Sequence, residues 1–229
     1  MMSSGSLKID KIVPKEKQLI YERDPKNIYA KSFKTVQNEG KIETVPLTLR
    51  PLITRLIHSC GMLDIKDRLV YSDNISINAS KALKAGANIL CDCEMVSSGI
   101  IRRYLPASNK VIVTLNDPEV IEGAQLIGNT RSAAAVQLWE PFIEGAVVAI
   151  GNAPTALFHL LELLDLGFPK PACILGFPVG FVGAMESKLE LELNPRACEF
   201  ITLKGRRGGS AMASAAVNAL AAGLPEVVK

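Results

Sequence analysis

The chain is short of the side chains on which most catalytic centres are built. It has two histidines, His58 and His159, in 229 residues. Two cannot supply the histidine cluster of a zinc site, and no Gly-x-Ser-x-Gly elbow offers the nucleophile of a serine triad. Nucleotide fingerprints are missing too: neither Gly-x-Gly-x-x-Gly nor Gly-x-x-x-x-Gly-Lys-[Ser/Thr] occurs. Aromatic residues make up only 5% of the chain, and the net charge is +3 with no basic stripe interleaved with aromatics. That excludes a nucleic-acid binder. No run reaches the ~18 apolar residues of a membrane span. The first ~20 positions carry Lys8, Lys11, Lys15 and Lys17 and no apolar h-region, so no signal peptide is expected. Five cysteines, odd in number and scattered, fit a cytoplasmic protein with reduced thiols. Cys91-Asp92-Cys93 has no second ligand pair at zinc spacing, so no metal is expected there.

What is present is aliphatic. With 48% hydrophobic and 21% charged residues and a mean hydropathy of +0.21, the chain can bury a sizeable core. Residues 1–25, rich in lysine, read as a loose arm, and residues 26–229 as a single α/β domain. Helical spacing predicts helices over Asn27–Glu39, over Pro46–Met62 with a stop at Gly61, and over Ile77–Ala85. Short, nearly all-apolar runs then recur at Asn88–Cys93, Val111–Leu115, Val147–Ile150, Ala172–Leu175 and Phe200–Leu203. Each is followed by a turn and a helix-like segment. The pattern predicts a three-layer α/β sandwich, its mostly parallel, roughly five-stranded sheet flanked by helices. Ligands are expected beyond the carboxyl ends of the strands.

Four turns at those ends place small residues before a helix start: 128–132, 151–155, 180–184 and 205–210. Glycine lets the main chain approach a ligand closely, and the unpaired first amides of a helix favour an anion. Each turn alone has a structural reading, with Asn129 or Asn152 as a cap and Pro154 in the first helical turn. Together, with Arg131, Lys188, Arg206 and Arg207 nearby, they suit a ligand with several separated negative groups. For proton chemistry the candidate is His58, three residues after Arg55 and so on the same helix face. Spacing alone leaves this open against a histidine that serves the helix C-terminus. His159 sits in an almost wholly apolar helix and reads as packing.

The residues in their order resemble the precorrin-8X methylmutases of cobalamin biosynthesis, called cobalt-precorrin-8 methylmutases in the anaerobic route. The resemblance runs from about Ile28 to Leu220. It rests on Ile28–Phe33, Arg55–Gly61, Ala85–Asp92 with Glu94–Val96, Ile127–Ala134, Ala149–Leu157, Pro178–Ala184 with Glu186–Lys188, and Gly205 with Gly208–Met212. It implies an isomerase that moves a methyl group from C11 to C12 of the macrocycle, giving hydrogenobyrinate or cobyrinate. No cofactor is implied. His58 would be the proton donor and acceptor, with Ser32 and Arg55 binding substrate. A homodimer with the site near its interface is also implied, with a tetrapyrrole as substrate and product. The carboxylates on such a ring are a reason for the turns, to which Arg131, Asn152, Thr155, Lys188, Arg206 and Ser210 are assigned; Arg207 is given no role. One tension is physical: Arg55 so close to His58 disfavours the imidazolium. A tetrapyrrole carrier that hands on the product is the alternative within the resemblance. A sugar-phosphate or nucleotide enzyme is the alternative from the turns alone.

Overall fold

The structure is a computed structural model and describes residues 14–224. Of the expected arm, residues 1–13 lie outside the described residues. The remainder runs through a 3-10 turn at Lys15–Lys17 into α1 (Pro25–Glu39). Asp24 caps α1 by accepting the Lys26 N–H at 2.8 Å, and Pro25 occupies the first turn, where no amide is needed. The second expected helix divides into a 3-10 turn (Leu47–Leu49) and α2 (Arg50–Cys60). Gly61 ends α2 at φ 69°, the left-handed conformation that glycine adopts freely. There follow β1 (Leu69–Tyr71), α3 (Ile75–Lys84), β2 (Ile89–Cys91), α4 (Glu94–Gly99), β3 (Val111–Ile112), α5 (Glu119–Leu126), α6 (Arg131–Gln137), β4 (Val147–Ile150), α7 (Pro154–Asp165), β5 (Cys173–Gly176), α8 (Ala184–Leu193), β6 (Glu199–Leu203) and α9 (Ser210–Ala222).

The strands form one six-stranded sheet in the order β1-β6-β5-β4-β2-β3. Every pairing is parallel except β1 with β6, which runs antiparallel with Leu69 opposite Leu203. The mostly parallel sheet between helices is as expected, with β1 added to the roughly five strands read from the sequence. At three residues, β1 is too short to show a period, and its partner lies far along the chain. The run Val111–Leu115 is strand only over Val111–Ile112. Beyond it the chain leaves the sheet, and Thr114 Oγ1 donates to the Ala135 carbonyl of α6 at 2.7 Å.

Alternation along the strands divides the interior into two cores. Ile89, Cys91, Val147, Ala149, Cys173, Leu175, Ile201 and Leu203 face α2, α3, α4 and α9. Leu90, Val148, Ile150, Ile174 and Phe200 face α7, α8 and the stretch around Trp139. Both faces of the sheet are therefore covered, which is why its strands read as continuous apolar runs. The helices leaving β2 and β4 diverge, α4 packing into the first core through Val96 and α7 into the second through Ala156 and Leu157. Such a divergence point is where doubly wound sheets usually receive a ligand.

Candidate active site

His58 lies in the last turn of α2, half-buried, with its ring against α1. Its Nδ1 is 2.8 Å from Ser32 Oγ. Tyr29, Ser32 and Phe33, spaced i, i+3, i+4, share one face of α1, and the two aromatic rings stand 5.8 and 4.9 Å from the imidazole. This holds the ring's orientation and leaves Nε2 without a partner among the described residues. The other side of His58 opens on a cavity of about 340 Å³ between α2, α4 and α9. Met95 and Gly99 of α4 line it, with Ala211, Ser214 and Asn218 of α9 and Arg55 of α2. Small residues at one-turn spacing on α9 are what leave the space open.

Arg55 is 7% exposed, and no carboxylate lies within ion-pair distance of it among the described residues. It donates to the Gly223 carbonyl at 3.5 Å, and its guanidinium stands 5.6 Å from the Tyr104 ring centroid. Burial pushes its pKa down, partly opposed by Tyr104 and Tyr29. His58 is shifted down as well, first by burial and then by the Arg55 charge. The site thus disfavours the imidazolium form of His58 and places it beside a buried cation without a carboxylate partner among the described residues.

The four turns lie side by side at the strand ends. Thr130 and Thr155 share a hydroxyl hydrogen bond of 2.8 Å, the Val179 N–H donates to the Asn152 carbonyl, and the Gly180 N–H donates to the Arg206 carbonyl. Most of their anion-binding groups already serve the protein itself. Asp92, at the end of β2, inserts its carboxylate into the turn after β4 and accepts the N–H groups of Gly151, Asn152 and Ala153 at 2.8–2.9 Å. The amides of this turn are thus taken up by a carboxyl group of the protein itself, and the cavity beside His58 is lined by other residues. Arg131 donates to the Leu115 carbonyl and to Asn116 Oδ1. Lys188 is buried, donates to the Arg207 carbonyl at 2.6 Å, and has its pKa pushed down to about 8 by desolvation. Arg207 makes a bidentate pair with Asp64, tying the turn after β6 to the segment that follows α2. Ser210 Oγ is 3.5 Å from Cys93 Sγ. Asn152 and Arg206 remain exposed, Arg206 over the ring of Phe181 at 5.4 Å.

Of the positions expected from sequence, the structure therefore brings His58, Ser32 and Arg55 together. It spreads the rest along the strand ends. Sequence reasoning passed over Met95, Gly99, Ser214 and Asn218. The signal for Ser214 and Asn218 was their one-turn spacing with Ala211 and Ala215 on α9, which also reads as ordinary helix packing.

Comparisons with known proteins point the same way. A family model described as precorrin-8X methylmutase matches residues 27–222. A precorrin-8X methylmutase of Pseudomonas aeruginosa is 54% identical over 201 residues, 88% of this chain and 97% of that one. A cobalt-precorrin-8 methylmutase of Priestia megaterium is 32% identical over 86% of this chain and 87% of that one. The solved structure of the precorrin-8x methyl mutase of Thermus thermophilus has a TM-score of 0.76 at 34% identity, covering 85% of this chain and 93% of that one. With the family model matched over residues 27–222 and a relative 54% identical across 88% of the chain, the chain belongs to the precorrin-8X methylmutase family, the methyl-shifting isomerases of cobalamin biosynthesis.

Proposed function

We propose that the chain moves a methyl group from C11 to C12 of metal-free precorrin-8X, with His58 as proton donor and acceptor. The observation that carries this reading is the pairing of His58 with Ser32 beside a cavity whose buried Arg55 has no anion of its own. A methyl group that migrates with its bonding pair while double bonds rearrange needs a ring held in shape and a proton at one place. Ser32 suits both protonation states by accepting from Nδ1–H in each, so that the exchanged proton is carried on Nε2 in the imidazolium and is missing from it in the neutral imidazole. In both states Nε2 is left to face the ring. Arg55 takes a carboxylate of the substrate, and that negative charge offsets the like-charge penalty on His58. Asn152 and Arg206, exposed at the strand ends, are assigned to outlying carboxylates. Thr155 and Ser210 shape the same edge, while Arg131 and Lys188 hold the turns. The metal-free form is favoured because the 54% relative is named for precorrin-8X and the relative named for the cobalt form is 32% identical.

The experiment is turnover of metal-free against cobalt-loaded precorrin-8, with the metal-free form expected to show the larger kcat/KM. Equal or better use of the cobalt form overturns that choice. We also place the protein in the cytoplasm as a homodimer, with the exposed Ile28 and Tyr29 beside the site as part of its interface. Sedimentation as a monomer at assay concentration would count against the dimer.

A pH profile follows from the electrostatics. Burial and Arg55 both disfavour the imidazolium, so in the free enzyme His58 loses its proton below the ordinary imidazole value. If the imidazolium is the donor, kcat/KM falls as pH rises through that depressed value. The kcat profile reports the complex, where a substrate carboxylate offsets Arg55, and falls at higher pH. A kcat limb at or below the kcat/KM limb contradicts this role for the substrate carboxylate.

A further inference from the structure

We propose that Arg103, with Tyr104, forms a second carboxylate-binding arm of the site, so that a rim carboxylate of the tetrapyrrole lies between Arg103 and Arg55. The inference rests on the methylmutase reading and adds a subsite to it.

After α4 the chain turns back through a 3-10 turn at Arg102–Tyr104. Asn218, buried on α9, pins that turn from beneath. Its Oδ1 accepts the Ile101 N–H at 2.8 Å, and its Nδ2 donates to the Gly99 carbonyl at 3.0 Å. A buried amide spent on main chain fixes where the turn sits, and the same Asn218 lines the cavity beside His58. What the turn presents is positive charge. The Arg103 guanidinium stands 5.3 Å from the Tyr104 ring centroid and that of Arg55 5.6 Å from the same centroid. Arg102 donates to Ser97 Oγ at 2.9 Å. Among the described residues none of the three arginines has a carboxylate within ion-pair distance.

A solvated basic face accounts for Arg102 and Arg103, which are exposed. It does not account for Arg55, whose guanidinium is withdrawn from water with no carboxylate within ion-pair distance among the described residues. A bound anion relieves that cost, and a planar carboxylate matches the fork of a guanidinium. The Tyr104 ring, 5.3 Å from one guanidinium and 5.6 Å from the other, supplies a cation–π surface for both. A carboxylate on the rim of a tetrapyrrole meets these demands.

The test is Arg103→Met, which keeps the apolar stem and removes the charge at an exposed position. Affinity for the corrinoid product is followed by its visible absorption. The expected result is a rise of about tenfold in the product Kd and in KM, with kcat nearly retained. The variant's affinity falls less steeply with added salt, and Arg103→Lys recovers part of the loss. Product with every carboxylate methyl-esterified binds wild type and variant alike. An unchanged Kd for the free acid overturns the proposal, as does equal weakening of the ester, which would mean lost packing. The product Kd, its salt dependence and the ester comparison are binding measurements. Failure of the wild-type protein to convert precorrin-8X is therefore a separate result, bearing on the function and not on this arm.

Discussion

His58→Ala lowers kcat by about 10²–10⁴-fold, the usual worth of a positioned general acid or base, while product affinity changes little. The side chain is half-buried and faces the cavity, whereas Leu52, Ile53, Leu56 and Ile57 carry the packing of α2. Its removal thus spares the first core and the helix. Binding is retained because Arg55 remains. Ser32→Ala keeps the imidazole and loses only its orienting bond, so its effect on kcat is smaller. Single-turnover conversion of precorrin-8X, with circular dichroism to show an intact fold, separates the roles. Were His58 only a partner for the last carbonyls of α2, the variant would lose stability and turn over normally. Normal turnover by a folded His58→Ala protein removes the assignment.

Part of this site was legible in the chain. Arg55 and His58, three apart and followed by Gly61, had to share a face near the end of a helix, and they do. Ser32 was different. Its partnership with His58 spans 26 positions, and only the resemblance to a family pointed to it. Yet the i, i+3, i+4 spacing of Tyr29, Ser32 and Phe33 marks the α1 face that receives the imidazole. The parallel strands announced themselves because both faces of the sheet are buried. β1 did not, because three residues beside a 3-10 turn carry no period. The turn at 151–153 was the subtler case. Its preference for an anion was readable from local chemistry, and the structure puts an anion there. That the anion belongs to Asp92, 59 to 61 residues away, follows only from β2 and β4 being neighbours in the sheet. Local sequence reports what a turn can bind, and topology decides what reaches it.

That exchange gives Asp92 the largest expected effect on stability. Its carboxylate is 2% exposed and holds three main-chain N–H groups, one on Oδ1 and two on Oδ2. Burial pushes its pKa up and the three amides oppose the shift; donors aimed at both oxygens suit the ionised form. Asp92→Ala leaves those amides without an acceptor, at about 1–3 kcal/mol for each that water cannot reach. Gly151 is buried, and the other two are partly accessible, so a total loss of roughly 3–5 kcal/mol is expected. For a chain of this size that is a fall in Tm of about 6–20 °C. Asp92→Asn keeps one accepting oxygen but turns an NH₂ group toward an N–H, and falls between wild type and alanine. The damage also reaches the active site. A Cβ on Gly151 would lie 2.7 Å from the Ser210 Cα and 2.8 Å from Val96, so this turn is wedged between α4 and the start of α9, the two helices that wall the cavity. Loosening it should raise the product Kd of Asp92→Asn while the His58 limb of its kcat profile stays where it is. Thermal unfolding of Asp92→Ala within a degree or so of wild type would show that the cage is not what holds β2 to β4.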